Sequence, residues 1–179
     1  MTRKILFMVR DYSATHLQSE DSAVLQELLE NCADYFDMVY GLPPAASEAQ
    51  VLLTETPPAK NPEDKFLVGL WDPGQKLIAV LDVVRDYPVL AEWFVGLLLV
   101  DPSYRQQGIG CKMYKAFEQW AIQRGAQYIG LGVVEQNKRA YDFWQRLGFE
   151  AQEKRLPKRY GNKENVVFVM KRSLRIDDA

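Results

Sequence analysis

Apolar positions along the chain change period several times, and each change marks an element. Ile5 to Arg10 is a short apolar run that charge soon interrupts, which reads as a strand. Ser19-Glu20-Asp21-Ser22 supplies capping residues ahead of a helix in which Val24, Leu25, Leu28 and Leu29 recur at 3-to-4 spacing. The stretch ADYFDMVYG predicts a second, shorter helix ending near Gly41 and stopped by Pro43-Pro44. Glu48 to Glu55 fits another short helix, and the proline-broken TPPAKNPEDK is a loop.

Beyond that loop the period shortens. Phe66 to Trp71 and Leu77 to Arg85 read as a hairpin around the turn Asp72-Pro73-Gly74-Gln75. Ala91 to Val100 contains WFVGLLLV, continuous rather than alternating, as in a strand buried on both faces. Ile109, Met113, Phe117 and Trp120 then line one side of a helix that Gly125 ends. Tyr128 to Val134 is a strand, Asn137 to Leu147 a helix closed by Gly148, and Val166 to Met170 a last strand. The Gly161-Asn162 turn is expected to pair that strand with an earlier one. The order, β then helices then β-β-β-α-β-α-β-β, predicts a mixed α/β layer.

Composition narrows the classes. Hydrophobic residues make up 47% of the 179, enough for a sizeable core in one domain. Acidic residues (24) nearly balance lysine plus arginine (22), which argues against a protein devoted to nucleic-acid backbone. Two cysteines, Cys32 and Cys111, make neither a metal pair nor a disulfide framework, so the expected compartment is the reducing cytoplasm. His16 is the single histidine, which leaves no pattern for a zinc site. The N-terminal apolar run is too short for a membrane span, and no membrane association is expected.

One stretch carries chemistry. VDPSYRQQGIG runs from a buried strand into an amphipathic helix and places Arg105, Gly108 and Gly110 at the spacing R-x-x-G-x-G. A helix start has backbone N–H groups without partners and the positive end of the dipole, so it attracts phosphate. Glycines there let a diphosphate reach the amides, and Arg105 adds charge. The other reading is a packing turn. A Rossmann fingerprint would need a third glycine and a Walker loop Gly-Lys-Ser/Thr, and both are missing.

A second stretch, Asn137-Lys-Arg-Ala140-Tyr-Asp-Phe143-Trp144-Gln-Arg-Leu147-Gly148-Phe149, follows the strand LGVVEQ. Together with VDPSYRQQGIG it resembles the GNAT superfamily of acyl-CoA-dependent N-acetyltransferases. Those proteins show a strand ending Val-x-Pro, then Gln/Arg-x-x-Gly-x-Gly/Ala, then an Asn-x-x-Ala helix ending Gly-Phe. The resemblance is specific from Trp93 to Phe149, and the element order extends it to Phe66 to Met170. It implies one GNAT domain over 1–179, with a mostly antiparallel mixed sheet, helices on both faces and a splayed strand pair that binds coenzyme A. Residues 1–60 would form part of the acceptor side.

The resemblance also implies roles. Amides of Arg105, Gln106, Gln107, Gly108, Ile109 and Gly110 would cradle the CoA diphosphate. The backbone of Leu98, Leu99 and Val100 would pair with pantetheine as an added strand and offer an N–H to the thioester carbonyl. Asn137 would contact pantetheine, or serve only as a helix cap. Trp144 stands where many members carry a tyrosine that protonates the departing thiolate; indole N–H is no such acid. Tyr141 could replace it, or water, or no dedicated acid. Glu92 is the first candidate for the base that deprotonates the acceptor, Asp82 the second. The implied reaction is direct attack of a primary amine, of a small molecule or of a protein or peptide, on acetyl-CoA. No metal or covalent enzyme intermediate enters, and Cys111 is packing. The same fold without turnover would be a silent CoA-binding or regulatory module. Tyr35, Phe36, Tyr40 and Asp86-Tyr87-Pro88 suggest an aromatic, acidic acceptor pocket, and the basic KRLPKRYGNK a solvated hairpin. A homodimer is compatible with the resemblance.

Overall fold

The computed structural model describes residues 3–174. The elements run β1 (Ile5–Val9), β2 (Tyr12–His16), α1 (Ser22–Asn31), α2 (Ala33–Tyr40), α3 (Glu48–Thr54), β3 (Lys65–Trp71), β4 (Leu77–Val84) and β5 (Glu92–Val100). They continue with α4 (Ile109–Ile122), β6 (Tyr128–Val134), α5 (Lys138–Arg146), β7 (Glu150–Lys154), β8 (Lys158–Tyr160), β9 (Lys163–Asn165) and β10 (Val167–Ser173). Eight strands make one sheet in the order β1-β2-β3-β4-β5-β6-β10-β7, while β8 and β9 form a separate hairpin. Every neighbouring pair in the large sheet is antiparallel except β5 with β6.

The sheet divides the core in two. On one face α4 and α5 bury Ile109, Met113, Phe117, Trp120, Trp144 and Leu147 against strand residues such as Leu81, Val83 and Trp93. On the other, α1, α2 and α3 bury Leu25, Leu29, Phe36 and Ala49 against Leu67, Val80 and Leu99. β4 lies between these layers, and all eight of its residues are buried. That is why LIAVLDVV reads as an unbroken apolar run except for Asp82.

Three features differ from the sequence expectation. β2 (YSATH) pairs with β1 and β3 and is too short and mixed to show a period. β7 (EAQEK) is an edge strand exposed at every position, so it has no apolar face to reveal it. The Gly161-Asn162 turn joins β8 to β9 instead of leading into the last strand; β10 pairs with β6 and β7. The KRLPKRYGNK side chains are mostly exposed, as a solvated hairpin requires, but the hairpin is also docked: Asn162 N–H donates to the Tyr40 carbonyl at 2.8 Å, and Asn165 Nδ2 donates to that of Val39 at 2.7 Å. Gly161 takes φ +56° with the Tyr40 carbonyl only 2.7 Å from where a Cβ would stand, so the turn needs glycine.

Candidate active site

β5 and β6 pair from Glu92–Tyr128 to Val95–Leu131 and then part, although β5 runs on to Val100 and β6 to Val134. A bulge begins the separation. Asp82 pairs with Leu97 and Val83 with Val95, so Gly96 is the extra residue. Gly96 is consequently exposed in the middle of an otherwise covered strand. The gap opens a cavity of about 780 Å³ walled by Gly96 to Val100 on one side and Leu131 to Val134 on the other. The strand edges facing each other there lack a partner, which suits an extended amide chain entering as an added strand.

At one end of this cavity stands the phosphate loop. Asp101 ends β5, accepting from the Ser103 amide at 2.9 Å and pairing with Lys76 at 3.1 Å. Burial works to raise the Asp101 pKa, but Ser103 and Lys76 outweigh it and hold the carboxyl low. The chain then turns through Gln106 (φ +62°) and Gly108 (φ +75°) into α4. The first rung of that helix is Lys112 N–H to the Gly108 carbonyl, so the amides before it have no helical acceptor. Gly108, Ile109 and Gly110 line the cavity, and so do Lys115, Arg139 and Arg146. An anion is favoured at this end.

Arg105 lines the cavity but is not free for a phosphate. Its Nε donates to the Val100 carbonyl at 2.9 Å, and its two terminal nitrogens hold Asp34 of α2 at 2.5 and 3.0 Å. That fork holds the Asp34 carboxyl below its usual pKa. Asp34 was invisible as a partner in the sequence, because the pair bridges the two faces of the sheet. Gln107 braces the loop by donating to the Ser103 carbonyl at 3.0 Å.

The helix after β6 supplies Asn137, Ala140, Phe143, Trp144 and Leu147 to the wall. Asn137 Oδ1 accepts from the Ala140 amide at 3.0 Å, so the cap is made while the side-chain NH₂ stays available. Trp144 is buried edge-on against Tyr114, Phe143 and Phe149. Tyr141 is not in the wall; its ring meets Phe168 of β10 at 5.3 Å. Three residues of helix turn it about 60° from the Trp144 direction, toward β10.

The two candidate bases have different neighbours. Neither Glu92 nor Asp82 is among the residues that line the cavity. Glu92 sits where β5 and β6 are still paired, 5% exposed, and Oε2 meets Lys171 of β10 at 2.6 Å. Its carboxylate crosses β6 over Gly130, where a Cβ would lie 2.8 Å from Oε1. Asp82, on β4, lies instead beside the bulge: its Oδ2 is 3.2 Å from where a Gly96 Cβ would stand. Lys65 Nζ is 3.2 Å from its carboxylate and donates to Oδ2, while Oδ1 lacks a hydrogen-bond partner. Burial raises the Asp82 pKa, with Lys65 opposing. The Asp86-Tyr87-Pro88 segment falls in the β4–β5 loop, with Tyr87 edge-on to Phe94, and is not brought to the cavity.

No group of three or more potential metal ligands occurs among the described residues, and none of their helices is long and apolar enough to cross a membrane.

Solved structures share this architecture. An acetyltransferase from Thermus thermophilus superposes with a TM-score of 0.73 at 20% identity, covering 93% of this chain and 99% of that one. Spermidine N-acetyltransferase from Vibrio cholerae, in complex with CoA and spermine, gives 0.72 at 14% identity over 91% and 95%. By sequence, the chain is 41% identical over 51 residues to the thialysine N-epsilon-acetyltransferase of Bos taurus, 28% of this chain and 30% of the relative. It is 39% identical over 56 residues to an uncharacterized N-acetyltransferase of Methanocaldococcus jannaschii, 31% of this chain and 25% of that protein. The matched stretches thus span less than a third of either curated relative. The model of the acetyltransferase (GNAT) family matches residues 25–149, from the first helix through both motifs to the end of the α5 turn, and the chain belongs to that family.

Proposed function

We propose that this protein is an acetyl-CoA-dependent N-acetyltransferase acting on a primary amine, with residues 1–179 forming one catalytic domain. The observation that carries the reading is the parting of β5 from β6, with the phosphate loop at one mouth of the resulting cavity. The diphosphate lies on the Gln106-to-Gly110 amides and pantetheine runs along Leu98, Leu99 and Val100. Asn137 donates to a pantetheine carbonyl, and Trp144 packs against the chain. We place the protein in the reducing cytoplasm, in keeping with its two free cysteines.

The acceptor must lose a proton before its nitrogen can attack. We assign that proton to Asp82, reached through water beside Gly96, and give Glu92 a structural role. The neutral amine forms the N–C bond at the acetyl carbon. A main-chain N–H of the freed β5 edge stabilises the oxyanion. The C–S bond then breaks with its electron pair on sulfur, and the second proton that the nitrogen carries after attack passes to the departing thiolate or to water. The α5 wall offers no acidic O–H, so the thiolate leaves without a proton from that helix.

Saturating acetyl-CoA, at a hundred times its dissociation constant, should add about 2.7 kcal/mol to the unfolding free energy. An unmoved melting temperature under those conditions defeats the reading. Free thiol released across an amine panel measures turnover; binding without turnover would identify a silent CoA module instead. Asp82→Asn should lower kcat by roughly 100-fold with acetyl-CoA binding retained. The rate should rise with pH through the elevated Asp82 pKa, because the base works only when ionised.

A further inference from the structure

Two adjacent strands inside the sheet carry one charge each. β3 (KFLVGLW) and β4 (LIAVLDVV) are otherwise apolar, and the exceptions are Lys65 and Asp82. Register brings the two together. Lys65 pairs with Val84 and Leu67 with Asp82, so the charges are diagonal neighbours on one face, within reach of a long side chain. Lys65 Nζ stands 3.2 Å from each carboxylate oxygen of Asp82. It also donates to the Glu55 carbonyl, one residue past α3, at 2.8 Å. Both residues are buried, Lys65 at 8% exposure and Asp82 at 9%.

Burying two charges returns little net stability, because desolvation offsets their attraction, and apolar residues of similar volume would hold the sheet as well. The pair does more for Asp82 than for the fold. β4 lies between β3 and β5. Lys65 holds the carboxylate from the β3 flank. On the β5 flank stands Gly96, which lines the cavity and whose Cβ would lie 3.2 Å from Oδ2. Burial works to raise the Asp82 pKa, and among the described residues Lys65 is the one charged group opposing it. Other charges nearby are engaged elsewhere: Lys60 and Arg85 with Asp64, Glu92 with Lys171. The Glu55 side chain is exposed, and only its carbonyl meets Lys65. On the helices that cover this face, Glu27, Glu30 and Asp37 are exposed and Asp34 is held by Arg105. Glu48 stands at the opposite end of α3 from Glu55. The phenols of Tyr35, in the cavity wall, and Tyr40 are pushed up by burial and stay neutral.

We propose that Lys65 is a positioning residue for the transfer reaction: anchored on the Glu55 carbonyl, its ammonium keeps Asp82 ionised and fixed beside Gly96, ready to take the acceptor's proton through water. This rests on the assignment of Asp82 as the base and deepens it. Lys65 does not line the cavity, so it acts through the carboxylate and not on coenzyme or acceptor. Because Nζ also holds the Glu55 carbonyl, the end of α3 fixes where the ammonium stands, and with it the carboxylate.

The test is the pH dependence of the rate in Lys65→Met, an unbranched apolar side chain, and in Lys65→Gln, polar but uncharged, which serves also if the first variant does not fold. Each is run with acetyl-CoA and the amine of the panel that the wild type turns over fastest, so the amine's own ionisation cancels. With the charge gone, burial acts on Asp82 unopposed. The acid limb should move up by about one pH unit or more, a rate loss of about tenfold at any pH below both limbs. Above both limbs the rate should return close to the wild-type value. Carbon-13 NMR of the Asp82 carboxyl, assigned by its absence in Asp82→Asn, should show its titration midpoint moving by the same amount. A merely structural role would lower the rate equally at every pH, and that result, or a limb and midpoint that stay in place, overturns the proposal. Asp82→Asn separates the two claims. If it is slow while both Lys65 variants keep the wild-type limb, Asp82 remains the base and the role of Lys65 alone falls. If it turns over amine at the wild-type rate, the base assignment falls and takes the role of Lys65 with it.

Discussion

Two carboxylates on neighbouring strands, Glu92 and Asp82, were the first and second candidates for the base in the sequence, and a missing Cβ beside each gives them different neighbours. Gly130 clears a path for Glu92 to cross β6 to Lys171; Gly96, which lines the cavity, stands beside Asp82. Sequence supplied the acids and the glycines but not which glycine each acid lies against, because those contacts are cross-strand. Glu92→Gln should therefore cost stability and spare chemistry. Breaking a buried pair costs about 3–5 kcal/mol. Lys171, at 35% side-chain exposure, can return to water, which puts the expectation near about 2 kcal/mol. Urea unfolding would read it, and an unchanged kcat would confirm the division of labour. Gly96→Ala makes the complementary case. Its methyl would lie 3.2 Å from Asp82 Oδ2 and crowd the proposed base, so kcat should fall while acetyl-CoA affinity holds.

Elements were legible wherever one face is buried. The α4 and α5 stripes, the β5 run and the phosphate loop all show in the chain because burial forces a period, and glycine marks the turn into α4. β2 and β7 escaped because they are short or exposed and owe their place to pairing; the hairpin was read at its turn, but not which strands it joins. The docking of that hairpin rests on one residue. Asn165 is fully buried; its Nδ2 donates to the Val39 carbonyl at 2.7 Å and its Oδ1 accepts from Gln136 Nε2 at 3.1 Å. It ties the C-terminal end of α2 to the loop that carries Asn137. Asn165→Ala leaves the buried Val39 carbonyl without that partner, a loss of about 2 kcal/mol, while the exposed Gln136 side chain can turn to water. For a chain of this size that lowers the melting temperature by roughly 4–8 °C. Hydrogen exchange should then quicken in β8, β9 and the last turn of α2 before it does in β4.

Across the molecule, the site is assembled from both faces of the sheet: phosphate loop, α4 and α5 on one, α2 and the hairpin on the other. Arg105 and Asp34 join them in a charged fork, and neither half-site motif could reveal it, since 71 positions separate the two residues. The pair opposes CoA binding in one respect, because Asp34 is the acidic group in the cavity wall and its partner is the loop's own arginine. Removing the acid frees a guanidinium for the diphosphate and deletes a repulsion. It also releases α2 from the loop. Asp34→Asn should thus tighten acetyl-CoA and raise the acceptor KM together. With Asp34 58% exposed, the interaction is of the surface kind, at most about 1 kcal/mol, or up to about fivefold in each constant. Acidification should mimic it. The Asp34 pKa is depressed when folded, so the fork's contribution is present above the unfolded value and lost as pH falls through the folded one. Calorimetry of acetyl-CoA against Asp34→Asn, at low salt and at about 0.5 M, gives the decisive comparison. A gain in affinity that shrinks with salt follows from a freed Arg105. A loss of affinity would mean instead that Asp34 is needed to present the loop, and that the two faces bind their ligands cooperatively.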